Sequence, residues 1–167
     1  MDLRGTVLVV TGGNGGLGQR ICHALVAQGC HIAVVYAQSK EQAAGVARDP
    51  ERHQVSAATF ACDVTGLGPQ GSSIAYAVSK AGLIHLTKCM AVALAPEVLV
   101  NCVAPGLLEG TRATSNLRPE QIENSAKTSL LRKAADKDDV ADQVVTMCRT
   151  NTMTGQTIVI DSGRTFH

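Results

Sequence analysis

The stretch Thr11-Gly12-Gly13-Asn14-Gly15-Gly16-Leu17-Gly18 puts five glycines between a strand-like run and a helical pattern. Thr6 to Val10 is apolar and rich in β-branched residues, the composition of a buried strand. From Leu17 to Gln28 apolar residues recur at helical spacing, at Leu17, Ile21 and Leu25, and Gly29 ends the pattern. The rest of the chain keeps this alternation. Strands are expected over His31–Tyr36, Val55–Cys62, Val98–Ala104 and Gln156–Ile160. Helices are expected over Glu41–Arg48, Ile74–Leu94, Arg118–Lys127 and Asp136–Arg149. Strands alternating with helices imply βαβ units and a parallel α/β sheet. A length of 167 residues points to one domain, 1–167, and no internal repeat interrupts it.

Composition narrows the function classes. Only Tyr36, Phe60, Tyr76 and Phe166 are aromatic, so Val, Ala, Leu and Ile must build the core. A net charge of +1 without a Lys/Arg-rich run argues against a nucleic-acid partner. No apolar run is read as approaching a membrane span, and Met1-Asp2-Leu3-Arg4 does not open a signal peptide. Cys22, Cys30, Cys62, Cys89, Cys102 and Cys148 form no CxxC pair and no zinc spacing with the scattered histidines. They read as reduced, mostly buried thiols of a cytoplasmic protein with no metal.

The glycine turn carries the first chemical signal. Glycines permit a tight turn and a close backbone approach to phosphate, and the following helix offers free N–H groups and a positive dipole end. After the second strand comes Tyr36-Ala37-Gln38-Ser39-Lys40, without a carboxylate for ribose hydroxyls. Ser39 and Lys40 are suited to a 2′-phosphate, which favours NADP(H) over NAD(H), or they lie on a solvated turn. The second signal is Tyr76-Ala77-Val78-Ser79-Lys80. Residues four apart share a helix face. An ammonium beside a phenol favours the phenolate and prepares it for proton transfer. A solvated helix face would show the same spacing.

Together these residues resemble the short-chain dehydrogenase/reductase family, in the flavour of the bacterial 3-oxoacyl-acyl-carrier-protein reductases. Thr11, Gly12, Gly16 and Gly18 match the family's Thr-Gly-x-x-x-Gly-x-Gly, and Asp63 and Val64 match its adenine-contacting Asp-Val. Tyr76 and Lys80 match its Tyr-x-x-x-Lys, and Asn101 to Gly106 match the strand end that borders the nicotinamide. Thr111 lies one residue beyond the commonest position of a carboxamide-contacting threonine. Thr154-Gly155-Gln156 and Asp161-Ser162-Gly163 look like the family's closing strand. The resemblance implies a Rossmann-type doubly wound parallel sheet and hydride transfer between a nicotinamide and a small carbonyl or alcohol. It implies Tyr76 and Lys80 as the catalytic pair. It implies a cofactor site of Thr11, Gly12, Asn14, Gly15, Gly16, Leu17, Gly18, Ser39, Lys40, Asp63, Val64, Tyr76, Lys80, Pro105, Gly106 and Thr111. It also implies a homo-oligomer through the C-terminal helix and strand.

One part of the family pattern is absent. Only Val64 to Ala75, twelve residues, separate Asp63 from Tyr76. The family places there a helix, the strand ending in Asn-Asn-Ala-Gly, a long helix and the strand bearing the catalytic serine. With a βαβ unit at ~30 residues or more, roughly 60 to 80 residues are missing. The serine's position falls on Asp63, which has no hydroxyl; Ser72, Ser73 and Ser79 read as turn or helix-start hydroxyls. The domain is therefore expected to be truncated, lacking two central strands. Its halves then pair directly or leave a gap with unpaired edges. Direct pairing moves Tyr76 by about two strand spacings, near 10 Å, whereas hydride transfer needs atoms at ~3–3.5 Å. The alternative to an oxidoreductase is thus a non-catalytic remnant that binds nucleotide or associates with an intact relative. Leu107 to Ser129 reads as a candidate lid, or as simple packing.

Overall fold

The structure is a computed structural model that describes residues 2–48, 54–62, 73–111, 114–115 and 117–164. Every expected element is present. Strand β1 (Val7–Thr11) leads through the glycine turn into α1 (Gly16–Val26), followed by β2 (His31–Tyr36), α2 (Lys40–Arg48) and β3 (Ala57–Ala61). Then come α3 (Ser73–Leu94), β4 (Cys102–Pro105), α4 (Pro119–Thr128), α5 (Lys137–Arg149) and β5 (Thr157–Ile160). The strand expected from Val98 begins only at Cys102. Asn101 spends its side chain upstream of the ladder, donating to the Met153 carbonyl at 2.8 Å and accepting from Gln156 N–H at 3.1 Å.

All strand pairs are parallel, as expected, but among the described residues they form two sheets and not one. The first has the order β1-β2-β3 and the second is β4-β5. Val7 pairs with His31 and Thr11 with Val35; Ile32 pairs with Ala57 and Val35 with Phe60. Cys102 pairs with Thr157 and Pro105 with Ile160. Of the two arrangements expected, direct pairing of the two halves is not seen among the described residues. Among the described residues, β1 pairs with β2 alone and β4 with β5 alone.

Helices cover one face of the first sheet. Val10, Ile32, Val34 and Tyr36 point to that face and pack with Cys22, Leu25 and Val26 of α1, Ala43 and Val46 of α2, and Val145 of α5. Side chains alternate along a strand, so Val7, Val9 and Phe60 point the other way, and they are 68%, 66% and 53% exposed. A second core joins Leu108, Ala135 and Val140 to Leu17, Val103 and Ile160. The two cores share helices: α5 reaches the first through Val145 and α1 reaches the second through Leu17. An Arg20–Asp138 ion pair at 3.0 Å spans the same α1–α5 contact.

Two expectations are corrected here. Tyr76–Leu94 of α3 is a 19-residue stretch of mean hydropathy 1.3, long and apolar enough to cross a membrane by length and composition. Reading the sequence for unbroken apolar runs passes over it because Lys80 and Lys88 interrupt the run. Its apolar residues lie on all sides, the pattern of a helix surrounded by neighbours. Yet Val78, Leu83, Leu86, Met90 and Val92 are exposed, while Thr87 and Ala91 are buried. The cysteines are free, as expected, but not mostly buried: Cys22 and Cys30 are buried, Cys102 and Cys148 half-buried, Cys62 and Cys89 exposed. Cys62 follows the outer strand β3 and Cys89 lies on α3, and among the described residues no layer covers either.

Candidate functional site

The glycine turn is built by close backbone approaches. Gly12 adopts φ +64°, a left-handed conformation that glycine accepts without penalty. Gly15 N–H donates to the Gly12 carbonyl at 2.9 Å and Gly13 N–H to the Val35 carbonyl at 3.2 Å, which ties the turn to β2. A β-carbon at Gly18 would collide with the Gly12 carbonyl, and one at Gly13 would lie 2.9 Å from the Val34 side chain. Gly15 caps α1, and Gln19 N–H is the donor to its carbonyl at 2.8 Å. The N–H groups of Gly16, Leu17 and Gly18 precede any turn of helix that could accept them, which leaves them for an anion. These residues fit a dinucleotide pyrophosphate. Leu17 contributes backbone only, because its side chain packs into the second core.

The corner after β2 is tied to this turn. Asn14 Nδ2 donates to the Gln38 carbonyl at 2.6 Å and reaches the Ser39 carbonyl at 3.4 Å. Gln19 Nε2 in turn donates to the Asn14 carbonyl at 2.9 Å. Ser39 has φ +64°, and its carbonyl accepts Ala43 N–H at 3.2 Å as α2 begins at Lys40. Ser39 and Lys40 are exposed beside the turn, as a 2′-phosphate reading requires.

The loop after β4 closes on the turn from the other half of the chain. Gly106 N–H donates to the Ile160 carbonyl at 2.9 Å, and a β-carbon there would meet Asp161 at 2.8 Å, so the strand ends approach as only glycine allows. Thr111 Oγ1 donates to the Leu108 carbonyl at 3.1 Å, and Thr114 Oγ1 to the same carbonyl at 2.8 Å. This compact loop brings the Gly110 carbonyl to 2.9 Å, and the Thr111 Cα to 3.6 Å, from the place of a Gly16 β-carbon. Thr111 therefore stands against the glycine turn despite its offset spacing. Gly110 is not singled out by the sequence, which offers only its glycine identity; the structure shows the use of that identity in its φ of +66°.

The Tyr76 and Lys80 side chains meet, with the Lys80 ammonium 5.4 Å from the Tyr76 ring centroid. It lies over the ring face, a cation–π contact. Tyr76 is 56% exposed. Among the described residues, neither side chain makes a hydrogen bond or ion pair to the glycine turn. Ser79 is not a stand-in for the family's serine: its hydroxyl donates to the Tyr76 carbonyl at 2.7 Å, within the helix. Asp63, Val64 and Ser72 lie outside the described residues. No metal-binding cluster occurs among the described residues. Beneath the turn, burial pushes the Cys22 thiol up to about 11, against the opposing pull of a hydrogen bond from its own backbone. Burial likewise raises the Cys30 and Cys148 thiols.

Comparison with known proteins matches this geometry to two overlapping family descriptions. Residues 6–68 match "short chain dehydrogenase", and residues 67–165 match "Enoyl-(Acyl carrier protein) reductase". The chain is 42% identical to the Bacillus subtilis "Short-chain dehydrogenase/reductase homolog YusR" over 61% of this chain and 78% of that protein. It is 38% identical to "Granaticin polyketide synthase putative ketoacyl reductase 2" of Streptomyces violaceoruber over 60% of this chain and 41% of that protein. The matched stretch is likewise under half the length of several further curated relatives. A short-chain dehydrogenase of Burkholderia cenocepacia, solved in complex with NADP, matches in fold with a TM-score of 0.80 at 19% identity. That match covers 98% of this chain and 99% of the other.

Proposed function

The chain belongs to the short-chain dehydrogenase/reductase family, and from that premise we propose that it is a nicotinamide-dependent oxidoreductase acting on a small carbonyl or alcohol. The observation that carries the reading is the glycine turn, with its left-handed Gly12, its close-packed Gly18 and the 107–111 loop seated on Gly16. NADP(H) is preferred over NAD(H). Ser39 and Lys40 stand exposed where the second strand ends, with no carboxylate between Tyr36 and Lys40, and structural neighbours are NADP complexes. The nicotinamide supplies or accepts the hydride. The glycine turn holds the pyrophosphate, and the family resemblance assigns the adenine to Asp63 and Val64, which lie outside the described residues. Pro105, Gly106 and Thr111 bound the nicotinamide end. Tyr76 donates its phenolic proton to the forming alkoxide, and Lys80 holds the ribose hydroxyls and supports the phenolate. α5 and β5 provide a face for a homo-oligomer.

A second reading is favoured by one observation, the exposure of Tyr76 on a helix most of whose large apolar side chains are exposed. In that reading the chain lacks the family's serine strand and binds nucleotide without turning over substrate. Thermal unfolding with and without NADPH separates binding from its absence. NADPH at one hundred times its dissociation constant is expected to add ~2.7 kcal/mol to the folded state. Loss of that response would overturn the nucleotide site. NADPH oxidation is then followed with a panel of small ketones and aldehydes. Tyr76→Phe is expected to abolish turnover and keep the thermal response. Binding without any wild-type turnover selects the second reading.

A further inference from the structure

We infer that Asn14 is a positioning residue that sets selectivity for the 2′-phosphate, by holding the Gln38-Ser39-Lys40 corner in the shape the phosphate needs. The inference rests on the nucleotide reading above and adds to it a division of labour within the glycine turn. The side chain of Asn14 leaves the turn and donates to the Gln38 carbonyl at 2.6 Å, with the Ser39 carbonyl at 3.4 Å. Its own carbonyl is held by Gln19 Nε2 at 2.9 Å, so the donor projects from a fixed base. The segment it grips contains Ser39 at φ +64°. A non-glycine residue adopts that conformation only where its surroundings hold it there.

The corner is held from both sides. Ala43 N–H, 3.2 Å from the Ser39 carbonyl, fixes the α2 side of the corner. Asn14 fixes the strand side. Ser39 and Lys40 are polar groups suited to a phosphate there, and Glu41 in the first turn of α2 opposes one by charge. With an opposing carboxylate adjacent, preference for the phosphate depends on the direction in which Ser39 and Lys40 are presented, and so on the corner's shape. When Asn14 is shortened, Ser39 is free to return to an ordinary conformation, and the pair no longer converges. The pyrophosphate cradle is unaffected, because it consists of backbone N–H groups of Gly16, Leu17 and Gly18. A residue acting on the cradle would weaken every adenine nucleotide alike. A residue acting on the corner weakens only those bearing a 2′-phosphate.

The test is calorimetric titration of the full chain, wild type, Asn14→Ala and Asn14→Ser, with 2′,5′-ADP and with 5′-AMP. Serine keeps a hydroxyl but is too short to reach the Gln38 carbonyl, so both variants should behave alike. Affinity for 2′,5′-ADP is expected to fall about tenfold, the effect of one lost hydrogen bond at the upper end of its usual range. Affinity for 5′-AMP is expected to hold within about twofold. Equal losses for the two ligands, or no loss in either, overturn the inference and leave the nucleotide reading standing. Failure of the wild type to bind either ligand overturns both. Unfolding midpoints of the three proteins, measured alongside, show whether each titration reports a folded chain; a variant that is folded and keeps full preference for 2′,5′-ADP refutes the role of Asn14.

Discussion

At the scale of single residues, the sequence announces those positions where one identity is the only solution. Gly18 cannot carry a β-carbon beside the Gly12 carbonyl, and Gly106 cannot carry one beside Asp161; both were legible as motif glycines. Gly110, which docks on Gly16, was not, because the contact joins residues 94 positions apart and has no local pattern. Cys22 shows the same limit. Its place at helical spacing near Ile21 and Leu25 was legible as apolar, but its position beneath the glycine turn came only with the fold. A titration follows from that position. The folded thiol titrates at about 11 against an ordinary 9.0. The unfolded chain therefore releases its proton first, and stability is lost as pH rises from near 9 through 11, with none lost on this account below that window. The loss reaches about 2 kcal/mol by pH 11, since each pH unit of separation is worth ~1.4 kcal/mol. Urea unfolding of the wild type and Cys22→Ala across pH 8 to 11 should show a steeper alkaline decline in the wild type; parallel curves would refute a buried neutral thiol.

Whole elements were the most legible level, since a helix or strand is written in a local period. α5 is the clearest case. Asp136 accepts from Asp138 N–H at 2.6 Å and from Asp139 N–H at 3.4 Å, so the acidic start read from sequence is a true N-cap. Its apolar stripe buries Val140 completely in the second core and Val145 in the first. Asp136→Ala is expected to lower stability by about 1 kcal/mol through loss of the cap. Asp138→Ala, which removes only the exposed pair with Arg20, is expected to cost under about 0.5 kcal/mol. Chemical denaturation of the two variants checks the ranking; an equal loss would mean that Asp138 also acts at the cap and not through Arg20 alone. α3 shows where local reading stops. Its helicity is plain from residues 74 to 94, yet nothing in its period reveals that Val78, Leu83, Leu86, Met90 and Val92 stand exposed. A helix apolar on all sides is a sequence made for burial, and its local period does not say which of its faces are covered.

At the scale of the molecule, the split sheet raises the question of whether the two halves fold as one unit. The sheet itself gives no coupling, because β1 and β4 share no ladder among the described residues. Coupling comes instead from the helix layer. Val145 of α5 lies in the core of the first sheet, and Leu17 of α1 packs into the core of the second. The Gly16–Gly110 approach adds a third tie at the carboxyl ends of the strands. Each half thus lacks part of its core when the other unfolds, and a cavity of that kind costs several kcal/mol. A single transition follows. Tyr36, only 8% exposed in the first core, is the one tyrosine left after Tyr76→Phe in a chain without tryptophan, so in that background it reports on that half by fluorescence, while far-UV circular dichroism reports on both. Coincident urea transitions by the two probes are expected. Val140→Ala, placed wholly in the second core, should then move the Tyr36 transition as far as it moves the dichroism, by roughly 2 kcal/mol. A Tyr36 transition that stays fixed while the dichroism broadens would show two independent halves. The loop on Gly16 would then be a contact between neighbours and not a wall of a single site.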